Sequence, residues 1–126
     1  LAPKPLITLK KRREFLAARG GGRAAMPSFV VETKPREGDP LGPPRFGFTV
    51  TKQIGKAVVR NRTRRRLRAL VRALPDALTR PGHDYVLIAR AGAFDRPFAE
   101  LAKDLEQAMR RVHDRPRAPK HAGKSS

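Results

Sequence analysis

"RFGFTVTKQIGKAVVRNRTRRRLRALVRAL", residues 45–74, changes its hydrophobic period midway. At first the apolar residues alternate. Phe46, Phe48 and Val50 share one face of an extended segment, and Arg45, Gly47, Thr49 and Thr51 share the other. From about Ala57 the spacing becomes helical, with Val59, Thr63, Leu67, Leu70, Val71 and Leu74 on one side. A strand leading straight into an amphipathic helix puts both element types around one core. Opposite the apolar stripe fall Asn61, Arg65, Arg68 and Arg72, with Arg62 close by and Arg64 and Arg66 on the flanks. Seven arginines lie between Arg60 and Arg72, and no carboxylate between Asp39 and Asp76. Like charges one turn apart cost a helix a few tenths of a kcal/mol each, so soluble helices normally mix signs. This face is expected to meet a polyanion. Guanidinium forks bind phosphate oxygens bidentately and stack on bases, which suits nucleic acid. Lys52, Gly55 and Lys56 precede the helix, where a glycine permits close approach and helix-start N–H groups can meet phosphate.

Working outward, "SFVVETK" (28–34) and "HDYVLIARA" (83–91) read as strands by their β-branched and aromatic content. "PREGDPLGPP" (35–44) is a loop. "TLKKRREFLAARGGG" (8–22) reads as a short helix capped by Thr8, with Leu9 and Leu16 on one face, Phe15 beside them, and Gly20 to Gly22 ending it. The arginine helix is expected to reach about Leu78, with Pro75 bending or ending it. In "DRPFAELAKDLEQAMRRVH" (95–113), Phe98, Leu101, Ala102, Leu105, Ala108, Met109 and Val112 recur at helical steps. The order α-β-β-α-β-α gives an α+β fold, a small sheet with packed helices. Residues 7–114 are expected to form one RNA-binding domain, with 1–6 and 115–126 as flexible basic tails.

Composition narrows the partners. The 126 residues carry 29 Lys and Arg against 11 Asp and Glu, a formal charge of +18. Such a surface attracts nucleic acid or an anionic membrane. A membrane reading is disfavoured because no apolar run exceeds a few residues. The absence of cysteine excludes disulfides and thiolate zinc sites and fits a reducing cytoplasm, the expected location. His83, His113 and His121 lack metal-ligand spacing, Glu100 and Asp104 read as a solvated helix face, and "GGGR" is not a phosphate-binding loop. Neither catalytic nor metal-ligating residues are assigned to the chain. "RFGFTV" is similar to the aromatic strand of an RNA recognition motif, but the glycine after the basic residue is missing and the element order differs.

The stretch "FGFTVTKQIGKAVVRNRTRRRLR" (46–68) closely resembles the Arg-Asn-Arg signature of bacterial ribonuclease P protein subunits. The "LKKRREF" helix, the "DYVLIAR" strand and the last helix are similar to that family's in order and spacing, so the resemblance covers about residues 7–113. It implies a left-handed crossover like that of ribosomal protein domain 2 folds, against the usual right hand. It also implies an accessory subunit of the ribozyme that removes 5′ leaders from precursor tRNA, with the RNA hydrolysing the phosphodiester using Mg2+. Carried over by position, Lys56, Arg60, Asn61, Arg62, Arg64, Arg65 and Arg68 would contact the ribonuclease P RNA. Phe15, Thr49, Thr51, Lys52 and Arg90 would hold the precursor tRNA leader. The chain departs from the family at Gln53, where lysine is common, and at Arg19 and Glu32, where aromatics occur. A leader cleft relying more on charge than on stacking is expected. A ribosome-associated RNA binder and a DNA-binding helical protein are the competing readings; the second lacks an evident helix-turn-helix pair.

Overall fold

The computed structural model describes residues 6–114. Four strands form one sheet: β1 (Gly22–Ala25), β2 (Phe29–Pro35), β3 (Arg45–Thr49) and β4 (His83–Ala89), in the order β1-β2-β4-β3. β1 pairs antiparallel with β2 and β2 antiparallel with β4, while β3 and β4 run parallel. Three helices accompany them: α1 (Arg12–Ala17), α2 (Ala57–Arg72) and α3 (Phe98–Asp114). The β3–α2–β4 connection joins parallel neighbours. The observed elements preserve the α+β order read from the sequence and add β1. "GRAA" carries no β-branched residue, and only its pairing with β2 makes it a strand. The expected tails, apart from Leu6, lie outside the described residues.

α2 and α3 cover one face of the sheet. Phe29, Val31, Phe46, Tyr85 and Leu87 meet Leu67, Leu70 and Val71 of α2, and Leu101, Leu105, Ala108, Met109 and Val112 of α3. Burying each such side chain is worth roughly 1.5–3 kcal/mol, which makes this layer the main source of stability. The Phe46 and Tyr85 rings stack at 5.0 Å, and the Tyr85 hydroxyl and the His113 Nε2 atom are 2.7 Å apart, tying the end of α3 to the sheet. Burial pushes the Tyr85 phenol up to about 12. Thr63 sits fully buried in α2 because its hydroxyl donates to the Val59 carbonyl at 2.8 Å.

Three local expectations are corrected. Thr8 does not cap α1; it bridges to Phe46, where the Leu9 N–H donates to the Phe46 carbonyl and the Phe46 N–H to that of Ile7. The helix starts later, at Arg12, with the Glu14 carboxylate accepting the N–H groups of Lys10 and Lys11. α2 stops at Arg72, and Asp76–Leu78 form a separate 3-10 turn after Pro75. Phe98, though in phase with the α3 stripe, is exposed.

Candidate nucleic-acid interface

α1 lies on the other sheet face and covers only part of it. Leu9, Ala18 and Val86 are buried there with Phe15 and Ile88 against them. Gly47 explains the geometry. A Cβ on it would fall 2.5 Å from Phe15 Cε2 and 3.1 Å from Leu9 Cδ1, so the absent side chain is what lets the Phe15 ring settle on the strand. Phe15 is therefore half-buried, both core and wall.

Beside it opens a cleft of about 710 Å³. Phe15, Thr49 and Thr51 line it together. Lys52 follows Thr51 directly and is exposed. Arg90 does not line this cleft; its guanidinium donates to the Met26 carbonyl at 3.1 Å. Lys10, Arg12, Leu16, Phe48, Val50, Val86 and Ile88 also line it, as do Arg19 and Glu32, two of the departures from the family pattern. Arg12, Phe15, Leu16 and Arg19 recur at helical spacing, a signal that the Leu9–Leu16 apolar pair outweighs in the sequence.

α2 stands next to the cleft. Its N-terminal turn depends on Gly55, whose φ of +151° is strained for any residue with a side chain. The Gly55 carbonyl accepts a hydrogen bond from Arg60 Nη1 at 2.9 Å, fixing that side chain across the turn. Asn61, Arg62, Arg65 and Arg68 are exposed and Lys56 stands at the N-cap position without a side-chain cap, while Arg64 is half-buried and its Nη1 lies 3.4 Å from Asn61 Oδ1. The Arg62 guanidinium lies 5.0 Å from the Phe94 ring centre, and that of Arg68 lies 6.0 Å from Phe48. Phe48 also lines the cleft, so it joins the two surfaces. Among the described residues Arg60, Arg62, Arg64, Arg65 and Arg68 have no carboxylate partner. Arg66 differs: its guanidinium donates to the carbonyls of Ala93, Phe94 and Arg96 and is a structural clamp.

At the far end of the α1 face, Asp84 is buried between two arginines. Arg45 reaches it with two hydrogen bonds, 2.9 and 2.8 Å, and Arg36 with one of 2.8 Å. Burial pushes the Asp84 carboxyl up, but the Arg45 and Arg36 hydrogen bonds outweigh it and hold it below the ordinary value. Arg45 also pairs with Glu14 at 3.5 Å, anchoring α1. Among the described residues no group of three or more His, Asp or Glu side chains could hold a metal ion. Nor is any helix long and apolar enough to cross a membrane.

A half-open sheet face, walled by cations and an aromatic, beside a helix of uncompensated arginines defines a small basic α+β protein that offers polyanions two adjoining surfaces. The chain belongs to the ribonuclease P protein family, whose model, described as Ribonuclease P, matches residues 4–113. It is 42% identical over 114 residues to the ribonuclease P protein component of Erythrobacter litoralis, covering 90% of this chain and 91% of that protein. With the Gluconacetobacter diazotrophicus component it shares 48% over 105 residues, 82% and 89% of the two chains. The solved RNase P proteins of Staphylococcus aureus and Thermotoga maritima each superpose with a TM-score of 0.69 at 26% identity. They cover 84% and 83% of this chain, and 94% and 96% of their own.

Proposed function

We propose that this chain binds the ribonuclease P RNA through α2 and holds the 5′ leader of precursor tRNA in the cleft, assisting endonucleolytic removal of that leader. The observation carrying this reading is the exposed α2 face, which adjoins the cleft and bears arginines that have no carboxylate partner among the described residues. Lys56, Arg60, Asn61, Arg62, Arg64, Arg65 and Arg68 meet the RNA backbone, where guanidinium forks take phosphate oxygens in pairs. Phe15 stacks on an unpaired base while Thr49, Thr51 and Lys52 offer polar and cationic contacts, an arrangement that tolerates many sequences. Arg90 contributes charge from outside the cleft lining. Hydrolysis belongs to the RNA, with Mg2+ bound there. The protein neutralises phosphates that otherwise repel one another when substrate and ribozyme meet, which lowers the need for free magnesium.

The test is cleavage of a precursor tRNA by a bacterial ribonuclease P RNA at low magnesium, with and without this protein. Stimulation, with no cleavage by protein alone, is the expected result. Tight RNA binding without stimulation would favour a ribosome-associated role instead.

A further inference from the structure

Among the described residues Glu32 is the one carboxylate lining the cleft, which otherwise presents the cations Lys10, Arg12 and Arg19 beside apolar and hydroxyl side chains. A phosphodiester is repelled by Glu32 and drawn to the cations of the α1 side. A strand of RNA in the cleft must therefore run its phosphates along α1 and turn a base towards the carboxylate.

The sheet register places the parts. Arg23, Glu32, Val86 and Gly47 form one row across β1, β2, β4 and β3. Phe15 covers the Gly47 end of that row, and Val86 is buried beneath Leu9 and Ala18. In the next row Ile88 and Thr49 are only half-buried and line the cleft. Ile88 is a diagonal neighbour of Glu32, a separation of roughly 7–8 Å that a long side chain spans. A base resting on Ile88 beside Phe15 has its edge at Glu32.

The carboxylate keeps acceptor capacity for it. Its side chain is 18% exposed, and its ion pair to Arg23 Nε, through Oε2, is long at 3.5 Å. An ionised carboxylate has about four lone-pair sites, so one distant partner screens the charge without using them. Arg23 stands directly opposite on β1, itself 57% exposed.

We propose that Glu32 selects the leader base at this position, taking the Watson–Crick edge of an unpaired guanine and disfavouring uracil. This deepens the leader-cleft reading and rests on it. Guanine presents N1–H and N2–H side by side, matching two carboxylate oxygens. Adenine and cytosine offer one amino group each next to a ring acceptor. Uracil offers a single N3–H flanked by two carbonyl oxygens, which the carboxylate repels.

The experiment assembles this protein with a bacterial ribonuclease P RNA. It measures equilibrium affinity for precursor tRNAs whose leader carries G, A, C or U at one position at a time, with mature tRNA as the leaderless control. At one position guanine should bind roughly tenfold tighter than uracil, the size of one bidentate base contact. Glu32→Gln, nearly isosteric and expected to fold normally, should shrink that ratio to about twofold or less. Base discrimination absent at every position, or unchanged in Glu32→Gln, overturns the proposal while leaving leader binding intact. Equal affinity for leadered and leaderless tRNA overturns the leader reading itself, and this inference with it.

Discussion

Asp84 is the residue whose charge state the fold depends on most directly. Its side chain is 6% exposed and its partners Arg36 and Arg45 are 9% and 28% exposed, so the triad is screened far less than the surface pairs. The carboxyl titrates below its unfolded value of about 3.9. A depressed carboxyl contributes stability that is fully present above the unfolded value and lost as the pH falls through the folded one. Unfolding free energy should therefore drop on acidification below about pH 4, and drop less steeply in Asp84→Asn. At neutral pH that variant should lose about 3 kcal/mol, because two arginines are left facing a neutral amide. Urea unfolding across the acid range measures both, and parallel curves for the two proteins would refute the assignment.

Among the elements, α2 divides its arginines between two tasks that the sequence writes identically. Arg66 should behave as a structural residue: Arg66→Ala frees three carbonyls of the 93–96 turn and should cost about 2 kcal/mol. Arg65→Ala and Arg68→Ala should stay within about 0.5 kcal/mol of the parent while binding ribonuclease P RNA more weakly. Paired thermal melts and RNA titrations separate the classes; an Arg65→Ala protein that unfolds early would mean the exposed face has been misplaced. The helical wheel found Leu67, Leu70 and Val71 inside and Arg65 and Arg68 outside because period and burial are local properties. It could not single out Arg66, whose partners are backbone carbonyls some thirty residues on. Thr8 misled for a related reason: its segment is held by β3, a tertiary pairing that overrides capping preference. Phe15, Thr49 and Thr51 line one cleft, two of them from β3 and its end and one from α1, whereas the contribution of Phe48 depends on the position of α2. At Gly55 the sequence offers a glycine that permits close approach or a tight turn, but its φ of +151° is set by the fold.

The molecule as a whole carries +18 and should answer to ionic strength. If about six phosphates are neutralised on binding, affinity for ribonuclease P RNA should fall roughly a thousandfold between about 50 and 200 mM salt. A nearly flat salt titration would remove the electrostatic basis of the interface. The strand order has a consequence for how the protein is made. β4 is last in sequence yet lies between β2 and β3, which share no hydrogen-bonded edge without it. A nascent chain that has not yet released residues 83–89 from the ribosome therefore holds the β1–β2 pair and a lone β3 with no strand to join them. Its arginine segment, residues 57–72, precedes β4 in the sequence and so emerges first, beside the ribosome's own RNA. Synthesis exposes the charge before it completes the scaffold that aims it.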